Sequence, residues 1–307
     1  MRPHSQPRPP TELQILENLN LRMKLTKDDQ LNYQNLEKGY IGERKFARLL
    51  DKNLTNSPIL LYDLRFKVNN TEFQIDCLPI FSNKIYHFEI KNFEGDFYYD
   101  NDNWYIVQTK KEIRSPLQQL KRCQILLKEL LHKLGYNVQV ESYIIFVNEE
   151  FTLYKAPINS QIILPTQVNR FIRRLNEQTA KINKYHTKLA DQLVNLHIQD
   201  SSHKNIPTYE YDDLKKGITC KNCSSFLYLL KNNKFECQVC HHKENIRSSI
   251  FRCILEFNLL FPYKRITTNT IYQWCDGRAS KRVIRNTLQE NLISVGKGKS
   301  THYILKK

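Results

Sequence analysis

The sequence predicts an α/β fold with a mixed sheet flanked by helices, followed by two smaller modules. Two apolar runs, at 73–81 and 85–90, have the length and composition of neighbouring strands. Two Cys-x-x-Cys pairs come much later, and helical patterns with a final hairpin pattern fill residues 248–307. A chain of 307 residues is long enough for two or three small domains.

Three charged residues lie in or beside the two apolar runs: Asp76 in the first, and Glu89 and Lys91 at the end of the second. Strand residues two apart point to the same face, so Glu89 and Lys91 share a side, and hairpin pairing brings Asp76 beside them. An acid in such a run is costly unless a metal or another charge meets it. Two carboxylates and one ammonium suit metal-assisted hydrolysis of a phosphodiester. The alternative is a surface ion pair of little energetic weight.

The segment 37–150 resembles the NERD (nuclease-related) domain, which belongs to the restriction-endonuclease-like PD-(D/E)xK group. The matching residues are Gly39-Tyr-Ile-Gly-Glu43, Gln74-Ile-Asp76, Glu89-Ile-Lys-Asn92, Gly95, Trp104 and Pro116-Leu-Gln-Gln119.

This resemblance implies a restriction-endonuclease-like mixed sheet and a role for each site residue. Asp76 and Glu89 are the implied ligands of Mg²⁺ or Mn²⁺, and Glu43 joins them from the first helix. Lys91 is the implied catalytic base or its electrostatic helper, and Gln119 is a polar residue facing the site. Without the resemblance, Glu43 is simply a helix acid and Gln119 a solvated helix residue. The family is named for similarity to nucleases, so the resemblance leaves open a member that binds nucleic acid or a partner without cutting.

Charge is unevenly distributed along the chain. The formal net charge of +16 and the sequence pI near 9.4 indicate a polyanionic partner. Residues 37–150 carry 16 basic and 16 acidic side chains, whereas residues 250–307 carry 11 basic and 3 acidic ones. The sequence therefore predicts that affinity for DNA resides in a module separate from the balanced segment.

No run of about 18 apolar residues spans a bilayer, and residues 1–10 lack the apolar core of a signal peptide. We therefore expect a cytoplasmic protein with no membrane partner, in which the eight cysteines do not form disulfides. Four of them, Cys77, Cys123, Cys253 and Cys275, are scattered and are expected to be buried thiols.

The other four cysteines form two knuckles, Cys220-Lys-Asn-Cys223 and Cys237-Gln-Val-Cys240. Two pairs at this separation predict structural zinc held by four thiolates, with a hairpin of 226–230 and 234–236 around Asn232-Asn233 between them. A redox Cys-x-x-Cys normally occurs singly. Residues 214–247 are too few for a useful core, so we expect the metal to supply the fold of this zinc ribbon.

Residues 248–307 have the pattern of a winged helix: helices at 248–261, 268–275 and 279–291, then a hairpin of 292–295 and 302–305. Basic residues that fit DNA contacts lie beside or on the third helix and at the hairpin tip. They are Arg278, Lys281, Arg282, Arg285, Lys297 and Lys299. The alternative is a protein-interaction domain with a solvated basic face.

The remaining segments are an N-terminal extension at 1–36 with a helix at 11–36, and a connector at 151–213. The connector contains a helical pattern at 164–198 with Arg170, Arg173 and Arg174, and 201–213 is the expected linker. Together the segments predict a metal-dependent nuclease-like protein that acts on DNA. Two hypotheses from other classes stay open: a catalytically silent DNA-binding or regulatory protein, and a scaffold whose tail recruits protein partners.

Overall fold

The computed structural model describes residues 4–158, 161–198, 205–229 and 234–306. The predicted turn at Asn232-Asn233 and the first residues of the predicted linker lie outside these ranges. The chain divides into two compact units: residues 1–10 with 34–204 form the first, and residues 11–33 with 205–307 form the second. Among the described helices, none combines the length and the apolar character needed to cross a bilayer.

The described part of the first unit contains five helical and nine strand elements. One of these, a long helix, has its first residues in the second unit. The helices are α2 (Lys27–Asn53), α3 (Pro116–Lys133), α4 (Val168–Asn176), α5 (Lys184–Leu196) and one short 3₁₀ turn (Pro165–Gln167). The strands are β1 (Ile59–Val68), β2 (Thr71–Ile80), β3 (Lys84–Lys91), β4 (Gly95–Asp100), β5 (Asn103–Ile106), β6 (Glu112–Ile113), β7 (Gln139–Phe146), β8 (Phe151–Tyr154) and β9 (Ile162–Ile163).

The main sheet has the order β1-β2-β3-β7-β9, and the predicted mixed sheet is confirmed. β1, β2 and β3 pair antiparallel, and β3-β7 and β7-β9 pair parallel. A second sheet has the order β6-β5-β4-β8. Helices cover the main sheet through two separate apolar clusters: α3 and α5 contribute to one, and α2 and α4 contribute to the other. The interior of β3 and the second half of β2 are therefore continuously buried, as a sheet covered on both faces requires, whereas the first half of β2 alternates buried and half-buried residues.

The helical pattern at 164–198 forms two helices, α4 and α5, rather than one. Asn56 donates hydrogen bonds to the carbonyl oxygens of Leu175 and Gln178, which satisfies groups at the end of α4. Asn183 then caps α5 by accepting from the backbone N–H of Tyr185. Both helices lie within the first unit and bury apolar side chains there.

The second unit contains four helices and five strands in its described part. The helices are α1 (Thr11–Arg22), α6 (Ile246–Leu260), α7 (Thr268–Trp274) and α8 (Lys281–Asn291). The strands are β10 (Tyr228–Leu229), β11 (Lys234–Glu236), β12 (Lys243–Asn245), β13 (Leu292–Val295) and β14 (His302–Leu305). The predicted ribbon hairpin gains a third antiparallel strand, β12, after the second cysteine pair.

The helices and hairpin of 248–307 lie close to their predicted positions. Thr267 caps α7 by accepting from the backbone N–H of Thr270 at 3.1 Å. Ser280 caps α8 by accepting from Val283, so this helix begins two residues later than the sequence pattern indicated. β13 and β14 pair antiparallel, as predicted for the hairpin.

The ribbon also contributes apolar side chains to a core that it shares with other parts of the second unit. One apolar cluster joins Leu19 of α1, Phe235 of the ribbon, and Phe257, Trp274 and Leu288 of the C-terminal helices. Arg22 of α1 is 3% exposed and makes an ion pair with Glu256 of α6 inside this cluster. The N-terminal helix α1 is therefore part of the core shared by the ribbon and residues 248–307.

Candidate active site and metal centre

Antiparallel pairing of β2 with β3 brings the three predicted charged residues together. The backbone register places Cys77 opposite Phe88, so the next residues on each strand, Asp76 and Glu89, are also neighbours. The backbone N–H of Ile90 donates to Asp76 Oδ2 at 2.8 Å. This bond fixes the Asp76 carboxylate beside the end of β3, where Glu89 and Lys91 lie.

Lys91, Glu89 and Gln119 form a connected group. Lys91 Nζ lies 2.8 Å from Glu89 Oε1 and donates to Gln119 Oε1 at 3.2 Å. The Gln119 amide donates in turn to Glu89 Oε1. Gln119 is placed by the first turn of α3, which begins at Pro116 after the N-cap residue Ser115. The Glu89 side chain is only 4% exposed, so this group is not the surface ion pair considered from sequence.

Glu43 reaches the same region because α2 passes close to the end of β3. A Cβ added at Gly42 would lie 2.6 Å from Asn92 Cβ, so only glycine permits this approach without a shift. Asn92 also donates to the carbonyl oxygen of Lys38 at 2.8 Å, which ties the strand end to the helix. Glu43 follows Gly42 directly and interacts electrostatically with Glu89 and Lys91.

The close approach at Gly42 leads to a prediction with a control in the same helix. Gly42→Ala is expected to destabilise the protein by about 1–3 kcal/mol, because the new methyl group overlaps Asn92. Gly39→Ala has open space and should instead stabilise α2 by about 0.5–1 kcal/mol. Urea unfolding of both variants measures the difference, and equal effects at the two positions would contradict the close approach.

Three carboxyl groups, Glu43, Asp76 and Glu89, share this site with one ammonium, Lys91, so ionisation of all three would leave negative charge that Lys91 does not balance. Burial, then the charges of Asp63 and Glu89, raise the pKa of Glu43 to about 8. Burial and the charges of Glu89 and Glu43 raise the pKa of Asp76 well above its usual value. Burial alone would lower the pKa of Lys91, but the neighbouring Glu89 and Asp76 raise it. Such crowding of acids is typical of a site that a cation completes.

Asp63 is a fourth acid near this site that the sequence analysis missed. It lies on β1 opposite Asp76, has a positive φ of 50°, and accepts a hydrogen bond from Gln74 at 3.0 Å. Burial raises its pKa, and its charge contributes to the raised pKa of Glu43. The signal was present in the sequence, because Asp63 interrupts the apolar strand 59–68 as Asp76 interrupts the next one.

The four predicted cysteines converge on one point in the second unit. The Sγ atoms of Cys220, Cys223, Cys237 and Cys240 all lie within 4.8 Å of one another. Two of the separations are 3.3 Å (Cys223–Cys237) and 3.7 Å (Cys220–Cys240). A tetrahedral zinc ion bound at about 2.3 Å to each sulfur requires separations of roughly 3.8 Å, so the donors fit zinc.

Backbone N–H groups point at the sulfurs, as a thiolate site requires. Asn222 donates to Cys220 Sγ at 3.3 Å and Val239 donates to Cys237 Sγ at 3.4 Å. Hydrogen bonds with the side chain and backbone of Ser225 lower the pKa of Cys223 to about 6. Within the described residues, this is the one group of three or more Cys, His, Asp or Glu side chains whose donor atoms all lie so close together.

Most of the basic residues predicted to contact DNA are exposed on the second unit. Lys281, Arg282 and Arg285 lie on the outer side of α8, and Lys297 follows β13. Lys281 donates to Asn269 Oδ1 at 2.9 Å, and Arg278 pairs with Asp276 at 2.9 Å. The side chain of Lys299 lies outside the described part of the chain.

Residues 38–147 match the sequence family described as the nuclease-related domain, NERD. The chain therefore contains a nuclease-related domain, which confirms the resemblance seen in the sequence and indicates a nuclease-like function at the level of the family. Comparison with curated proteins gives no significant match. Among solved structures, the protein VC1899 from Vibrio cholerae aligns with 12% identity and a TM-score of 0.27. The alignment covers 50% of this chain and 36% of that one, and a likeness this weak carries no argument.

Proposed function

We propose that the first unit hydrolyses phosphodiester bonds of DNA with a divalent cation, Mg²⁺ or Mn²⁺, held by Asp76 and Glu89. The observation that carries this proposal is the buried group in which Lys91 Nζ lies 2.8 Å from Glu89 and hydrogen-bonds Gln119 beside Asp76. Asp76, Glu89 and Glu43 supply oxygen donors, which Mg²⁺ prefers. Their excess negative charge over Lys91 fits a divalent ion.

The residues of the chain have separate roles in this proposal. The N–H of Ile90 fixes Asp76, and Gln119 fixes both Glu89 and Lys91. When bound, the cation would polarise a phosphoryl oxygen and lower the pKa of a water molecule. The Lys91 ammonium would orient the attacking water and offset the charge that develops on the phosphate. Glu43 would complete the negative field that attracts the cation.

The second unit is proposed to bind DNA through the basic surface of α8 and the hairpin, on a scaffold that zinc stabilises. Each exposed cation that neutralises a phosphate releases condensed counterions, which makes binding sensitive to salt. Residues 37–150, which hold the proposed catalytic group, carry balanced charge, so we expect this segment to contribute little of the electrostatic affinity for DNA.

A catalytically silent DNA-binding protein is the second candidate function. Lys91 already satisfies Glu89 with an ion pair at 2.8 Å, without a cation. If this arrangement does not rearrange around a cation, the site stabilises the fold without performing chemistry.

Digestion of supercoiled, linear and single-stranded DNA by the full chain, with and without Mg²⁺ or Mn²⁺, tests the proposed function. The expected result is cleavage of at least one substrate that depends on the added cation. Mg²⁺ should also raise the melting temperature of the wild type but not of Asp76→Asn, because a ligand that binds only the folded state stabilises it. No cleavage and no shift in melting would favour the silent candidate.

Point variants test the basic surface better than a truncation. Deleting residues 248–307 would remove much of the core that α1 and the ribbon share. Arg282→Ala and Arg285→Ala are expected to weaken binding of duplex DNA by roughly 1 kcal/mol or less each if they contact phosphates. When the logarithm of the binding constant is plotted against the logarithm of salt concentration, each variant should also reduce the slope by about 0.9. Fluorescence anisotropy at several salt concentrations measures both quantities.

Lys188→Ala, which removes an exposed cation from α5 in the first unit, is the matched control for these variants. If Lys188→Ala weakened duplex binding as much as Arg282→Ala, the DNA surface would not be confined to α8 and the hairpin.

A further inference from the structure

We propose that a cavity in the second unit binds one unstacked nucleotide of single-stranded DNA, with the base against Phe226 and the phosphate between Lys215 and Arg278. This inference rests on the proposed function for its nucleic-acid partner and adds a second site, which shares only Arg278 with the predicted basic residues.

The cavity has the size of a site for one small ligand. Its volume is about 310 Å³, at the lower end of the roughly 300–1,000 Å³ typical of ligand pockets. It is lined by the loop 215–217, by Phe226 and Leu227 before the first ribbon strand, and by Asp276 and Arg278 after α7. This volume suits a single nucleotide rather than a strand or a duplex.

The floor of the cavity is fixed before any ligand arrives. The buried guanidinium of Arg22 donates to the carbonyl oxygen of Lys215 at 2.6 Å and to that of Gly217 at 3.0 Å. The N–H of Gly217 donates to the carbonyl oxygen of Trp274 at 2.8 Å. Glu256 holds Arg22 in place through an ion pair. A pre-formed site lowers the entropy cost of binding.

Phe226 forms an aromatic wall that depends on Gly217. Gly217 has a φ of +134°, and an added Cβ would lie 2.6 Å from Phe226 Cδ1. The ring therefore packs directly against the glycine backbone. Phe226 is half-buried, and Lys215 Nζ lies 4.3 Å from the centre of its ring. Because the lysine stem is flexible, a base can take this position over the ring while the ammonium turns to the phosphate.

The charge of the cavity suits a phosphate. Lys215, Lys216 and Arg278 face one acid, Asp276, whose carboxylate is 2.9 Å from Arg278. Lys216 Nζ is engaged by the carbonyl oxygens of Tyr211 and Leu214. Lys215 is exposed, and no carboxylate of the described residues lies within ion-pair distance of it. An aromatic face next to cations is the combination that binds an unpaired base and its phosphate.

Fluorescence anisotropy with a labelled thymidine oligonucleotide and with a blunt duplex tests the proposal, using zinc-loaded full chain without added Mg²⁺. Phe226→Leu should weaken binding of the oligonucleotide about tenfold, since it removes the stacking surface. The same variant should leave duplex binding unchanged, because paired bases are already stacked on one another. Phe226→Tyr should bind the oligonucleotide like the wild type.

Lys215→Ala should weaken oligonucleotide binding about threefold and reduce the salt slope by about 0.7, the value for one phosphate of a single strand. Lys234→Ala, an exposed ribbon lysine outside the cavity, should change neither. Zinc content and melting temperature show that each variant is folded.

The proposal is overturned if Phe226→Leu binds the oligonucleotide as the wild type does, or loses the oligonucleotide and the duplex equally. The proposal would also be overturned if a polyglutamate peptide competed as strongly as unlabelled oligonucleotide. That result would assign the cavity to an acidic protein partner. These measurements detect binding and not cleavage. They therefore test the cavity even if the protein has no nuclease activity. Asp76→Asn protein should bind the oligonucleotide like the wild type.

Discussion

Glu89→Gln is expected to reduce the single-turnover rate of cation-dependent DNA cleavage by at least about 100-fold. The amide removes the negative charge that the cation requires, and it leaves the buried Lys91 without its ion-pair partner at 2.8 Å. Lys91→Met should reduce the rate by about 10²–10⁴-fold, as expected when a positioned proton-transfer or charge-stabilising group is lost. Quenched reactions at saturating DNA and Mg²⁺ measure both rates.

DNA affinity should be nearly unchanged in these two variants, because the proposed binding surface lies on the second unit. Glu94→Gln is the matched control: Glu94 follows β3 closely, but it is exposed and pairs with the exposed Lys38. A normal cleavage rate in Glu89→Gln, or an equal loss in Glu94→Gln, would contradict the assignment of the site to Glu89 and Lys91.

Removing zinc is expected to unfold the ribbon and to destabilise the rest of the second unit. Apparent binding free energies of structural zinc are about 10–16 kcal/mol in small zinc-finger peptides. Cys237 is fully buried beside Phe235 in the cluster that also contains Ile250 and Phe257. Cys237→Ser should therefore lose the zinc ion and lower the melting temperature of α6–α8 as well as that of the ribbon.

Purified wild-type protein should contain about one zinc ion per chain, measured by metal analysis, and its four ribbon thiols should resist alkylation in the native state. Cys123→Ala, which changes a buried cysteine of the first unit, should keep the full zinc content. The zinc assignment would be contradicted if purified wild-type protein contained no zinc and its ribbon thiols reacted freely. A melting curve that stays the same after treatment with a chelator would also contradict it.

The sequence predicted the parts of the site that local periodicity determines. Strand residues two apart share a face, and the runs that form β2 and β3 were expected to pair as a hairpin. These two rules were enough to place Asp76, Glu89 and Lys91 together. The Cys-x-x-Cys spacing was enough to bring four sulfurs together. In residues 248–307, the pattern of apolar residues located the helices within about two residues, although the Ser280 cap that sets the observed start of α8 was not recognised.

Contacts between distant parts of the chain could not be predicted in this way. Arg22 and Glu256 are separated by 234 positions, and nothing local to either residue indicates a buried ion pair. The break between α4 and α5 depends on Asn56, more than 100 residues earlier. Nothing in the sequence around Gly42 indicates that this residue lies against Asn92.

The measurement that tests the central proposal most directly is nicking of a supercoiled plasmid in one Mg²⁺ buffer by wild-type, Glu94→Gln and Asp76→Asn proteins. Asn keeps the acceptor for the Ile90 N–H but removes the negative charge of Asp76. We expect wild type and Glu94→Gln to relax the plasmid at equal rates and Asp76→Asn to leave it supercoiled. Equal nicking by all three proteins, or none by the wild type, would contradict a cation-dependent nuclease at Asp76, Glu89 and Lys91.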